Sequence, residues 1–244
     1  MKFCSEFMKL EGNNNMIFTT SWDDGNILDI KLANLLSDYN IRATFYIPIS
    51  WKFKSLQNRD LRRISKKFEI GSHSVSHKDM TKISNGEIQF EVTKSKEILE
   101  KIMKRKISCF AFPFGKSNRN VQEIVKKANF MFARTTEEFY LEFPRNPFAS
   151  NISISVSNNP MRILFPNGFY LKLKNGLKWE RIAKEMLSRS LKRNSVFHLH
   201  GHSWEIEKEN NWNELENFLN YISKLKEIEF LTNNEIIPYH QRRL

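Results

Sequence analysis

The chain has 244 residues, enough for one large α/β domain or two small ones, and its 40% apolar content suits a folded globule. No run of about 18 apolar residues occurs, which excludes a membrane-spanning helix, and two cysteines, Cys4 and Cys109, exclude a disulfide framework. A net charge of +12 invites a nucleic-acid partner, but no recognisable binding motif accompanies it, so none is expected.

Residues 1 to 15 lack the continuous apolar segment of about 7 to 15 residues that a secretory signal needs. They read as an N-terminal extension to a single domain over 16 to 244. Unless a leader preceded residue 1, the cytoplasm is expected, and the positive charge is compatible with peripheral membrane association. Residues 16 to 21 read as a buried strand closed by Asp23-Asp24-Gly25. Asp-Gly suits a tight turn, and an Asp can cap a helix, so the carboxylate pair has a plain structural reading as well as a functional one.

A helix-like run from Ile27 to Tyr39 precedes an extended Ala43 to Ile47. Near 60 to 68, Leu61, Ile64 and Phe68 share one helical face and basic residues take the other, which reads as a solvated surface. Glu69 to His73 reads as a strand. Residues 84 to 104 open with Ser84 and Glu87 at capping-box spacing and carry the stripe Ile88, Val92, Leu99, Ile102. Glu97 with Lys101 and Glu100 with Lys104 are expected as i,i+4 pairs.

Ile107 to Phe112 reads as a strand holding Cys109 as a buried, inert thiol, Asn120 to Ala128 as a helix, and Phe130 to Ala133 and Ile152 to Val156 as extended. Residues 136 to 176, rich in Pro, Asn and Gly, read as long loops. Helices around Trp179 to Leu191 and Trp212 to Ile222 flank an extended Ser195 to Leu199, and Phe230 to Thr232 reads as a last strand. This alternation predicts parallel strands with crossover helices in a barrel-like α/β domain.

Such barrels place chemistry at the C-terminal ends of strands. Four tips stand out: Asp23-Asp24-Gly25, His73-Ser74-Val75-Ser76-His77, Phe112-Pro113-Phe114-Gly115 and His198-Leu199-His200-Gly201-His202. Five of the six histidines fall in two of these windows. Imidazoles and carboxylates converging on one mouth suit a first-row cation such as zinc.

These motifs, in this order, resemble the polysaccharide deacetylases of the NodB-homology group, carbohydrate esterase family 4. The resemblance covers residues 16 to about 204, with Phe230-Leu231-Thr232 and Glu235 also similar to the end of such domains. It implies a distorted (β/α) barrel of about seven strands and metal-dependent hydrolysis of N-acetyl or O-acetyl groups on sugars. Carried over, Asp24, His73 and His77 would hold one divalent ion, Zn2+ first, with Co2+, Ni2+ or Mn2+ as alternatives. Asp23 would be the base that takes a proton from metal-bound water, and the backbone of Phe114, with Pro113 beside it, would face the oxyanion and substrate. His202 is preferred as the acid that protonates the departing amine, with His200 as the alternative.

Three departures stand out. Many members carry an arginine in the third motif, where this chain has Ala111, and Arg134 at another strand end is expected to supply that charge. Phe114 stands where a tyrosine is common. Trp22 replaces a frequent phenylalanine and is expected beside the site, and Trp204 follows His202 closely. The expected substrate is an acetylated carbohydrate, an N-acetyl amino sugar in a polysaccharide or a glycan precursor, with anionic or phosphate-linked forms favoured by the charge. A deacylase of small non-sugar amides and a catalytically silent carbohydrate-binding protein are the alternatives.

Overall fold

The computed structural model describes residues 15–50, 54–158, 178–193 and 195–243. Its central strand, β1 (Met16–Asp23), is buried along its whole length. The two-residue pleat sends Met16, Phe18 and Trp22 outward into a core shared with helices, and Ile17, Thr19, Ser21 and Asp23 inward.

On one side of β1 follow β2 (Thr44–Ile47), β3 (Glu69–Ser72), β4 (Cys109–Ala111) and β5 (Phe132–Arg134). On the other lie β7 (Val196–Gly201) and then β6 (Ile154–Ser155), and every pairing is parallel. A further strand, β8 (Ile228–Leu231), pairs with Met16–Thr19 of β1, whereas β2 takes Ser21–Asp23 on the same edge. Two strands thus share one edge, and the sheet curls into the expected distorted barrel of about seven strands, here seven in series plus β8. Residues 135–153 cover the gap between β5 and β6: Thr135 N–H donates to Ser150 O at 2.8 Å and Ile152 N–H to Glu137 O at 2.9 Å.

Helices α1 (Asp29–Asp38), α2 (Asn58–Ile64), α3 (Asn85–Met103), α4 (Arg119–Lys127), α5 (Trp179–Arg193) and α7 (Trp212–Ile222) form the outer layer. Phe18, Phe197, Phe218 and Trp179 stack within it, each such burial contributing about 1.5–3 kcal/mol. Inside the barrel the base is apolar, with Ile17, Phe132, Val196, Leu231 and Ile236 in contact. Above it sits a hydrogen-bonded layer. Asn233 Nδ2 donates to Thr19 Oγ1, Tyr46 Oη donates to Asn233 Oδ1, and Ser21 Oγ lies 2.8 Å from His198 Nε2.

Two helices escaped the sequence analysis, α6 (Ser203–Lys208) and α8 (Asn233–Gln241). The first is too short to show a period, and Pro238 hides the second although Thr232 and Glu235 form its capping box. The expected pairs Glu97–Lys101 and Glu100–Lys104 do not form. Glu97 instead meets Lys94 at 3.1 Å, while Glu100 meets Lys96 at 3.2 Å and accepts Ile107 N–H, because Lys104 turns left-handed (φ 53°) to end the helix. Cys109 is buried, and burial pushes its thiol well above the ordinary value. Cys4 with residues 1–14 of the expected extension, and 159–176 of the expected loops, lie outside the described residues. Among the described residues no helix is long and apolar enough to cross a membrane.

Candidate active site

Adjacent residues of a strand face opposite ways, so two neighbouring carboxylates should not share a cavity. At the tip of β1 the backbone breaks that rule: Asp24 is left-handed (φ 78°), and Gly25 (φ 58°) completes the turn. Both carboxylates therefore line one cavity of about 440 Å³ at the mouth of the barrel.

His73 follows β3, and its Nδ1 lies 2.8 Å from Ala111 O. A carbonyl only accepts, so Nδ1 carries a proton and Nε2 faces inward. That Nε2 is 3.1 Å from His77 Nε2, 3.8 Å from Asp24 Oδ1 and 3.7 Å from Asp23 Oδ2. Asp24 Oδ1 is buried, receives no hydrogen bond among the described residues, and lies 3.5 Å from His77 Nε2. Its other oxygen accepts from Trp204 Nε1 at 2.9 Å. Burial and the neighbouring His73 take His77 down to about 4, so its imidazole is neutral. Two imidazoles and a carboxylate, with ligand atoms within 4.8 Å of one another, form a set that could hold a metal ion.

The His73–His77 loop carries strain, with Ser74 (φ 70°) and His77 (φ 54°) both left-handed. Two side chains fix it. Ser74 Oγ accepts His77 N–H at 2.9 Å, and the buried Glu91 of α3 accepts Val75 N–H and Ser76 N–H at 2.8 Å each.

Asp23 is held differently. Its Oδ1 pairs with Arg134, wholly buried at the end of β5, and Arg134 is the register partner of Ala111. The guanidinium sits across one strand gap from the third-motif position and lies over the Tyr46 ring, 4.8 Å from its centroid. Burial alone would raise the Asp23 carboxyl, but Arg134, His73 and His200 together hold it well below the usual carboxylate range.

The three histidines of the last motif occupy three levels. His198 is buried in the layer below, bonded to Ser21. His200 sits in the cavity wall with Nε2 3.3 Å from Asp23 Oδ2 and Nδ1 3.1 Å from Ser155 Oγ; burial, with Arg134 nearby, takes it down to about 3. His202 lies beyond the strand as the N-cap of α6. Its Nδ1 is 3.1 Å from Glu205 Oε2 and its Nε2 3.9 Å from Asp24 Oδ2. Burial opposes its charge, yet the Glu205 hydrogen bond and the two aspartates raise it above the ordinary imidazole value.

Phe114 is left-handed (φ 59°) and exposed at the rim, its ring 4.7 Å from that of His77. Two expected residues do not reach the cavity wall. Trp22 points outward by the pleat and underlies Gly201, where a Cβ would meet its ring at 2.7 Å, and Pro113 is buried at the start of a 3-10 turn. Sequence reasoning passed over Glu91, Ser155 and Glu205. Glu91 carried a signal, being a carboxylate on the same helical face as Ile88, Val92 and Ser95.

The polysaccharide deacetylase family profile matches residues 11–133. The chain is 25% identical over 116 residues to peptidoglycan-N-acetylglucosamine deacetylase of Bacillus cereus, a match covering 47% of this chain and 42% of the relative. It spans 33–42% of the lengths of the curated relatives it matches. The fold is similar to that of a candidate polysaccharide deacetylase from Mycobacterium smegmatis, with a TM-score of 0.72, 11% identity and coverage of 94% of this chain and 92% of that one. A family 4 acetyl xylan esterase of Clostridium thermocellum, solved with a cobalt ion, matches with a TM-score of 0.60 at 16% identity, covering 92% of each chain. With the profile matching half of its length, and with this barrel built around these motifs, the chain belongs to the polysaccharide deacetylase family.

Proposed function

We propose that this chain is a divalent-metal-dependent hydrolase that removes acetyl groups from a carbohydrate, with N-acetyl amino sugars as its substrate class. The observation that carries the proposal is the pairing of an Asp24–His73–His77 ligand set with a separate aspartate, Asp23, kept ionised by a buried arginine in the same cavity. The N-acetylglucosamine specificity named for the Bacillus cereus relative supports the choice of sugar. A cation on Asp24, His73 and His77, with Zn2+ the best fit and Co2+, Ni2+ or Mn2+ also suited, would lower the pKa of a water and polarise the acetyl carbonyl.

The chain's own residues divide the remaining work. Asp23 Oδ2 takes a proton from the attacking water while Arg134 anchors Oδ1. The Phe114 backbone N–H donates to the developing oxyanion. His202 delivers a proton to the leaving nitrogen. It is preferred over His200 because Glu205 engages only its Nδ1, leaving Nε2 at the cavity, whereas both His200 nitrogens are committed to Asp23 and Ser155.

The test is acetate release from N-acetylated sugar oligomers and from acetylated small amines. Wild type and Asp24→Ala are compared, with metal content measured by plasma mass spectrometry. Release from the sugars that tracks near-stoichiometric metal supports the proposal. Release from amines alone would replace it with the small-amide deacylase, and glycan binding without release by metal-loaded protein would replace it with the binding protein.

A further inference from the structure

The chain carries 39 Lys and Arg against 27 Asp and Glu. No Lys or Arg is among the described residues lining the mouth cavity. At the opposite end, where α2, α3 and α4 run out, stand Lys66 and Lys67, Lys104 and Lys106, and Lys126 and Lys127. All six are exposed, and none has an ion-pair partner among the described residues.

Three of the nearby acids are engaged elsewhere, while Glu123, one turn before Lys126 and Lys127, is exposed. Glu100 holds Lys96, Glu235 holds Arg42 at 2.8 Å, and Glu69 is turned inward to Thr44 and the backbone of Asn234. Lys66, Lys67, Arg105 and Lys106 line a groove of about 400 Å³ between these helix ends. Helix dipoles favour cations, but the effect fades within the last turn, and Lys66, Lys67 and Lys106 lie beyond it.

We propose that this basic end of the barrel docks on an anionic phospholipid surface, leaving the mouth open to solvent. Three successive helices end on the side of the barrel away from the mouth, so their cations gather at one end of the molecule. The groups are chiefly lysines, point charges that suit fluid headgroups better than the bidentate contacts an arginine makes with fixed phosphates. The exposed apolar side chain at this rim is Met131, whose N–H donates to Ser108 O beside Lys106, and not an aromatic ring on which bases stack. Lysines near a charged leaflet act additively and are screened by salt.

The experiment is co-sedimentation with vesicles of phosphatidylcholine alone or mixed with phosphatidylglycerol, at low and high salt. Wild type is compared with K66Q/K67Q/K104Q/K106Q and with K31Q/K54Q/K82Q/K116Q, which removes the same charge at the mouth end. The expected result is binding to mixed vesicles that salt releases, weakened at least tenfold in the base variant and kept in the mouth variant. Absence of binding to mixed vesicles at low salt overturns the proposal, as does equal loss in both variants. Base-dependent capture by a soluble anionic glycan, without capture by vesicles, overturns it in favour of a glycan partner. The salt dependence of the wild type needs no variant, and circular dichroism of each variant separates lost binding from lost fold.

Discussion

The two ends of the barrel interior are built on opposite principles. At the base, Ile17, Phe132, Val196, Leu231 and Ile236 fill space, and the left-handed residues nearby, Asn40, Lys104 and Asn129, do no more than end helices, a place where Asn is favoured. At the mouth, Asp24, Ser74, His77 and Phe114 adopt the same costly backbone, and each either lines the cavity or fixes a residue that does. Left-handed backbone at non-glycine residues costs about 1–3 kcal/mol each and persists where surrounding contacts enforce it. Glu91 and Ala111 O supply that enforcement for the histidine loop. The base stores stability, and the mouth spends part of it on fixed polar geometry.

Substitutions at the two ends should separate these roles. The largest effect is expected from Asp23→Asn: acetate release falls by about 10²–10⁴-fold while metal content stays near wild type. Activity within tenfold of wild type would remove Asp23 as the base.

Arg134→Gln leaves a buried carboxylate unpaired and is expected to cost about 3–5 kcal/mol in denaturant unfolding. The pH sign follows from Asp23. Its folded value lies below 3.8, so its contribution to stability is present above that pH and is lost as pH falls through the folded value. Without Arg134 the carboxyl rises, the contribution disappears, and the acidic limb of the rate profile moves to higher pH. An unmoved limb would show that Arg134 does not tune Asp23.

Glu91→Ala should loosen the His73–His77 loop and weaken metal affinity about 10–100-fold, read by competition with a chelating dye. Unchanged affinity would make Glu91 a folding residue only. Glu205→Gln removes the main support for a protonated His202, so the basic limb of the rate profile should shift to lower pH. A shift upward would transfer the acid role elsewhere. At the base, Ile17→Val should cost about 0.5–1.5 kcal/mol and leave kcat and KM unchanged. A changed kcat there would mean that packing at the base reaches the mouth.

Much of this was legible in the residues. The repeated strand and helix pattern gave the parallel barrel, because a buried strand and an amphipathic helix are each specified by local periodicity. Asp23, Asp24, His73 and His77 were marked by their motifs, since short tips carry their chemistry within a few residues. His202 was read at the strand's end beyond Gly201, where the structure has it, but the burial of His198 below the cavity was not legible, because alternation shows only which face a side chain takes. Trp22 was expected beside the site, but the pleat turned it outward beneath Gly201.

By itself, the sequence determined most of the elements, their parallel direction and the residues at the strand tips, because each depends on neighbours a few positions away. Arg134 was read from the residues as the stand-in for the absent third-motif arginine, and the structure pairs it with Asp23 across 111 positions; tertiary structure alone decided that the left-handed turn at Asp24 brings two carboxylates into one cavity and that unpaired lysines gather at the base. Those outcomes depend on the register of β4 with β5 and on the curl imposed where β2 and β8 share an edge of β1. Contacts between distant segments are set by that geometry and leave no local pattern from which to read them.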